Sequence, residues 1–391
     1  MKMKNIIKKQ QKTIFIGFMS VALFIICICT VCTAYAADKD NAKTPVDIPG
    51  LTYDHSMELS YAEEFSVDYY NDGYALITID QEGQFLVVPE GKKAPKGLEK
   101  DITVIQQPLN NIYLVATSAM DLFRAIDGID SIRLSGTQEN GWYIQEAKDA
   151  MESGKMIYAG KYNAPDYELI LDEGCGLAIE STMIHHNPEV EEKLEQFGIP
   201  VMVERSSYES HPLGRTEWMK LYAVLLGKED VAEKAFKEQT DKLDKVLTSD
   251  DKDTGKTVAF FYINSTGAVN VRKNGDYVSN MIELAGGNYA LDDAQTASTS
   301  GSSVTLEMER FYATTKDADI IVYNGTIDES VATLKDFVGK NALLSQFKAV
   351  KNGNVWVTSA DMYQQMTSTA DIIDELHGAF TGDDASDFHY L

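Results

Sequence analysis

The stretch from Leu177 to Leu247 constrains the fold more than any other. It reads as a strand at Leu177-Ala178-Ile179-Glu180, a polar loop with His185 and His186, an acidic helix, and a second strand at Ile199-Pro200-Val201-Met202-Val203. A second polar loop holds Arg205, Tyr208, Glu209 and His211. The apolar spacing then predicts a helix through Trp218 to Leu226, stopped by Gly227, and a new helix from Lys228-Glu229-Asp230. Strand, loop, helix, strand and a long helical connector is how an α/β chain leaves one lobe for another. In open α/β sheets the loops at the carboxyl ends of the strands are where a ligand sits.

A chain of 391 residues exceeds one small core and suits two domains of ordinary size. Its N-terminus stands apart from the globular remainder. Lys2, Lys4, Lys8, Lys9 and Lys12 precede an apolar run from Ile14 to Val31, and Ala34-Tyr35-Ala36 follows. A basic region, a hydrophobic region and a small-x-small site form the layout of a secretory signal. The apolar run of 18 residues is also near the lower limit for a spanning helix, so an uncleaved anchor satisfies the same residues. Cys27, Cys29 and Cys32 lie in this segment behind Ile26, Ile28 and Val31, where a lipoprotein signal needs a small residue. Cys175 is the only other cysteine, so no intrachain disulfide staples the exported part. It reads as a small buried residue rather than a reactive thiol.

Losing the five lysines with the signal takes the net charge from −25 to near −30. Such an acidic body excludes nucleic acid and an anionic membrane surface as natural partners. Its charge keeps an exported protein soluble.

The segment 37–57 is polar and without periodicity, and reads as a linker. Leu76-Ile77-Thr78-Ile79 and Phe85-Leu86-Val87-Val88, joined through Glu82-Gly83, read as a hairpin. Strands and helices then alternate, with Ser118 a natural N-cap for a helix from Ala119 to Ile126. The amphipathic stretch Glu229 to Leu247 spans roughly 30 Å as a helix. Beyond it come a strand at Val258 to Ile263, a helix from Asp276 to Leu284 ended by Gly286-Gly287, and a helix from Thr305 to about Thr314. Strands at Ile320 to Tyr323 and Val355 to Val357 and a closing helix from Ala370 to Phe380 complete the chain. The expected fold class is α/β: two Rossmann-like lobes joined by a single long helix, with a ligand cleft between the lobes. The boundaries are 1–36 signal or anchor, 37–57 linker, 58–227 first lobe, 228–249 connecting helix and 250–391 second lobe.

Several motifs in order resemble the iron-siderophore, haem and cobalamin class of ABC-transporter substrate-binding proteins. They are Gly198-Ile199-Pro200-Val201, Leu226-Gly227-Lys228-Glu229-Asp230-Val231-Ala232, and Met281-Ile282-Glu283-Leu284-Ala285-Gly286-Gly287-Asn288-Tyr289-Ala290. Val304-Thr305-Leu306-Glu307, Asp317-Ala318-Asp319-Ile320-Ile321 and Gly353-Asn354-Val355-Trp356 continue the series, which covers roughly residues 58 to 380. The resemblance implies capture of a metal chelate in a cleft, delivery to an ABC permease, and no cofactor of the protein's own. It also implies docking through one acid per lobe, at Glu189 and Glu307. A monomer outside the cytoplasm is the expected state.

The loops at the strand ends supply the candidate ligand contacts. The first lobe offers Lys161, Tyr162, Met183, His185, His186, Arg205, Tyr208 and His211. The second offers Arg272, Lys273, Tyr277, Met362 and Tyr363. Tyrosine and arginine suit a large anionic chelate through flat contact area and directed charge. Arg205 and Tyr208 rank first, because their loop directly follows a core strand. His185, His186 and His211 could ligate metal, but neighbouring side chains on one backbone point apart, and capping or packing accounts for them as well. An enzyme is the rival class, yet no G-x-S-x-G elbow, P-loop or H-E-x-x-H motif occurs. Haem, cobalamin and free metal ions remain alternatives to an iron(III) siderophore.

Overall fold

Three β-sheets organise the protein, seen in a computed structural model that describes residues 45–248, 253–297, 301–383 and 385–391. The signal or anchor segment, with Cys27, Cys29 and Cys32, lies outside the described residues. No helix among the described residues is long and apolar enough to cross a membrane.

The first sheet has five strands: β1 (Tyr53–Ser56), β2 (Phe65–Tyr70), β3 (Ala75–Ile79), β4 (Gly83–Val88) and β5 (Ile102–Gln106), in sequential order. Its pairs are antiparallel except β4 with β5. The segment expected as a linker therefore carries a strand, because Tyr53 to Ser56 pair with β2 instead of remaining solvated.

The second sheet is parallel, ordered β12-β11-β6-β7-β8, from β6 (Ile112–Leu114), β7 (Ile132–Ser135), β8 (Ile157–Tyr158), β11 (Leu177–Ser181) and β12 (Val201–Glu204). Between β8 and β11 a short ribbon pairs β9 (Gly160–Lys161) with β10 (Ala164–Pro165). The helices here are α1 (Ala119–Ala125), α2 (Gln145–Glu152), α3 (Tyr167–Asp172), α4 (Pro188–Gln196), α5 (Pro212–Glu217) and α6 (Met219–Leu226). Gly227 ends α6 in the left-handed region at φ 65°, the backbone that glycine adopts without penalty. The helical segment starts at Pro212, earlier than its hydrophobic spacing suggests, since proline is favoured in a first turn.

Next in the chain is α7 (Glu229–Leu247), 19 residues long, which buries Ala232, Phe236, Gln239 and Leu243 along one stripe. The third sheet follows, ordered β16-β14-β13-β17-β18, with β15 also beside β13. Its strands are β13 (Lys256–Ile263), β14 (Val269–Arg272), β15 (Gly287–Tyr289), β16 (Ser303–Leu306), β17 (Ile320–Tyr323) and β18 (Val355–Val357). Helices α8 (Tyr277–Leu284), α9 (Asp293–Thr296), α10 (Met308–Thr315), α11 (Leu334–Lys340), α12 (Lys348–Asn352) and α13 (Thr369–Thr381) surround it. The stretch expected as one helix from Thr305 divides into β16 and α10. Leu306 is buried while Thr305 is exposed, and the strand pairs antiparallel with β14.

Two features tie these sheets together. A continuous hydrophobic cluster holds Ile77 of the first sheet, Leu114 and Ile179 of the second, Phe236 and Leu243 of α7, Val258 and Val322 of the third, and Phe380 of α13. The first sheet is also held by buried carboxylates. Glu217 accepts backbone N–H bonds from Ser60, Tyr61 and Ala62 at 2.8–3.1 Å. Glu209 accepts those of Glu63 and Glu64 at 2.8 and 3.1 Å, together with the Trp218 indole N–H at 2.8 Å. Five successive amides between β1 and β2 thus meet two acids, and Lys220 offsets the Glu217 charge at 3.2 Å.

Candidate ligand-binding cleft

A cleft of about 630 Å3 opens at the carboxyl ends of the second-sheet strands and is closed from the other side by the third-sheet lobe. Its floor is built by short loops. Thr117 and Ser118 follow β6, Gly136 and Thr137 follow β7, and Ser181 and Thr182 end β11. A Cβ on Gly136 would stand 2.9 Å from the Val115 backbone, so only glycine lets the first two loops approach this closely. Ser118 occupies the N-cap position of α1 but does not cap it. Its hydroxyl donates to Glu204 Oε1 at 3.3 Å instead.

The charged groups are few and unevenly matched. Lys161, Arg215 and Arg272 line the cleft, and Glu204 is the sole carboxylate among the described lining residues. Arg272, at the end of β14, donates from Nε to Asp276 Oδ2 at 2.6 Å, and Asp276 in turn caps α8. Arg215 on α5 is different. It is 7% exposed, its Nε has no hydrogen-bond partner, and it makes no ion pair with a described residue. Its guanidinium lies 3.8 Å from the ring centre of Tyr277, which also carries Arg272 at 4.9 Å. Tyr363 accepts a hydrogen bond from Asn324 Nδ2 at 2.8 Å and completes this aromatic and cationic wall. Burial raises the pKa of Glu204 above the usual carboxylate range, against the opposing pull of Ser206, Arg215 and Ser118.

Of the residues expected from sequence, Lys161, Tyr162, Arg272, Tyr277 and Tyr363 converge on this cleft. The others do not line it. Arg205 is 8% exposed, with Nε 2.7 Å from Glu64 and Nη1 3.3 Å from Glu82, both acids of the first-sheet region. The Tyr208 ring covers Arg205 at 4.3 Å and is 41% exposed. His185 also turns to Glu82, at 3.2 Å, while His186 and Met183 are exposed on the same turn. His211 caps α5: its Nδ1 accepts the Leu213 N–H at 3.1 Å, and its ring stacks on Tyr61. Burial lowers its pKa, which suits a neutral acceptor nitrogen. Met362 is buried beneath Tyr363, and Lys273 pairs its backbone N–H with Ser302. The first sheet thus engages the very loop whose position after a core strand marked it for ligand.

Sequence reasoning missed Arg215, Ser118, Thr137 and Glu204. Arg215 left one signal: Glu217 and Lys220 pair with each other three residues apart, which leaves Arg215 without a mate in a strongly apolar helical run. Trp142 is buried with its Nε1 donating to Ser135 at 3.2 Å, next to the lining residue Gly141. Cys175 is half-buried, its thiol pushed up to about 11 by burial and donating to the Leu177 carbonyl at 3.4 Å. Glu189 and Glu307 are both exposed, in the first turn of α4 and at the N-cap of α10.

A parallel sheet and a mixed one, helices around them and a cleft at strand ends define a two-lobed solute-binding fold. The sequence profile of the Periplasmic binding protein family matches residues 116–362, and the chain belongs to that family. An uncharacterized lipoprotein of Methanocaldococcus jannaschii is 25% identical over 379 residues, covering 88% of each chain. The triscatecholate siderophore binding protein of Bacillus subtilis, solved with ferri-bacillibactin, superposes with a TM-score of 0.55 at 16% identity, over 71% of this chain and 95% of that one. The periplasmic haem binding protein of Vibrio cholerae gives 0.54 at 16% identity, over 68% and 98%. The first sheet, like β6, lies before the residues that the family profile matches.

Proposed function

We propose that this protein is the extracytoplasmic solute-binding component of an ABC importer and captures an anionic iron(III) chelate of the siderophore type. The observation that carries this reading is Arg215. A buried guanidinium that makes no direct ion pair is costly, with Glu204 near enough only to feel its charge, and an anion seated in the cleft lowers that cost. Lys161 and Arg272 add charge of the same sign, and Tyr162, Tyr277 and Tyr363 add flat contact area. Among the remaining lining residues Ser118, Thr137, Gln138 and Asn140 add hydroxyl and amide groups that can bond the polar rim of such a chelate. No three His, Cys, Asp or Glu side chains among the described residues are grouped to hold a metal ion. A free ion therefore lacks a ligand set there, while a chelate brings its own.

Residues 58–227 and 250–391 act in this reading as the two lobes, with α7 as spacer. Residues 1–36 direct export and either leave or stay as an anchor. Glu189 and Glu307 meet the permease. Tryptophan fluorescence titration with ferric enterobactin, ferric citrate, haem and cyanocobalamin tests the ligand class. Binding of a ferric chelate that Arg215→Ala weakens about 30-fold or more, with folding intact, is the expected result. Binding confined to haem or cyanocobalamin, or an Arg215→Ala protein that binds the ferric chelate as tightly as before, overturns it. For docking, Glu189→Ala with Glu307→Ala should leave binding unchanged and abolish uptake.

A further inference from the structure

Most side chains of the cleft wall can donate a hydrogen bond, and Glu204, as a carboxylate, is the one among the described lining residues that only accepts. Arginine and lysine offer only donors, so an anion can meet Lys161, Arg215 and Arg272 through any face. Glu204 ends β12 at 3% exposure, and both hydrogen bonds that reach it go to Oε1, from Ser118 Oγ at 3.3 Å and from the Ser206 backbone N–H at 3.2 Å. One oxygen therefore fixes two loops of the cleft, while Oε2 accepts no hydrogen bond from a described residue. A carboxylate so placed repels a ligand that presents bare oxyanion on every side.

We propose that Glu204 is a specificity-determining residue, whose Oε2 accepts a hydrogen bond from a hydroxyl or N–H carried next to the ligand's anionic arm. The ligand class is thereby narrowed to an anionic iron(III) chelate with such a donor beside its acid group, which rests on the anionic-chelate reading above. Burial makes this acceptor selective: a ligand that brings no donor leaves a buried carboxylate oxygen unsatisfied, which is costly. Arg215 and Glu204 then divide the work, one holding the negative arm and the other checking what stands next to it.

Two chelates of equal charge separate this from a loop-bracing role. Ferric 2,3-dihydroxybenzoylserine carries a hydroxymethyl beside its carboxylate, and ferric 2,3-dihydroxybenzoylglycine lacks it. The wild-type protein should prefer the serine chelate about tenfold or more. Glu204→Gln keeps an oxygen for Ser118 and Ser206 and replaces the free acceptor by a donor. It should lose that preference through weaker binding of the serine chelate, with glycine-chelate affinity equal or higher and the melting temperature retained. Equal affinity of the wild-type protein for both chelates, or equal weakening of both in Glu204→Gln, overturns the proposal and leaves the anionic-chelate reading standing. Binding of neither, nor of any ferric chelate above, removes both. Glu204→Asp, one methylene shorter, withdraws the carboxylate from both roles. It is expected to weaken both chelates and lower the melting temperature, the contrast that Glu204→Gln is free of; a Glu204→Asp protein that keeps full serine preference also overturns the assignment.

Discussion

Glu180 is a carboxyl group without hydrogen-bond support among the described residues. It lies on β11, fully buried, and neither carboxylate oxygen has a hydrogen-bond partner. Burial, with a smaller push from Glu191, raises its pKa from 4.5 to about 8. The unfolded chain gives up this proton near 4.5 while the folded protein keeps it to about 8, so stability falls as pH rises between those values. Glu180→Gln removes this part of the slope, and thermal melts from pH 5 to pH 8 should flatten relative to the wild-type protein. An unchanged slope would mean that Glu180 is charged in the folded state. The histidines belong to the same scale. His185 and His186 face the first-sheet side or solvent, so replacing both by alanine should change affinity for a ferric chelate less than twofold, read by the same fluorescence titration.

At the scale of elements, the first sheet depends on two acids contributed by α5 and the loop before it. Removing Glu217 leaves the N–H groups of Ser60, Tyr61 and Ala62 without an acceptor and Lys220 without its buried partner. Glu217→Ala should cost about 3 kcal/mol or more. Limited proteolysis should then cut first within 57–64, ahead of any site in the second or third sheet, and cleavage elsewhere would show that hydrophobic contact alone holds β1 to β5. The elements themselves were largely legible. Periodicity, Gly227 and the charged stripe of α7 depend on residues a few positions apart, and α7 takes the bounds its pattern suggests. The strand inside 37–57 was not legible, because its pairing with β2 leaves four exposed residues and no apolar alternation.

The whole molecule combines a cleft with a tightly joined pair of lobes. Asp121 of α1 accepts the Thr367 N–H at 2.6 Å and its hydroxyl at 2.8 Å, and Thr216 donates to the Met366 carbonyl at 2.9 Å. At the cleft mouth Gln364 donates to the Gly141 carbonyl at 2.8 Å and accepts the Tyr143 N–H at 2.9 Å. With one hydrophobic cluster running through these layers, any closure on ligand should be confined to small rotations at the mouth. Gln364→Ala should speed ferric-chelate release several-fold in stopped-flow traces while small-angle scattering stays unchanged; a scattering change would indicate larger opening. What the sequence determined alone was the order of strands and helices, the α/β class and five of the side chains that meet in the cleft. These follow from local periodicity and from the rule that loops at strand ends face a ligand. Only the tertiary structure decided which way Arg205 and His185 turn, because their partners Glu64 and Glu82 lie more than a hundred residues away in the first-sheet region, and Tyr208 follows Arg205 by covering it. The same long-range packing left Arg215 without a direct ion pair, since nothing in its own helix reveals that the facing lobe brings the Tyr277 ring against its guanidinium.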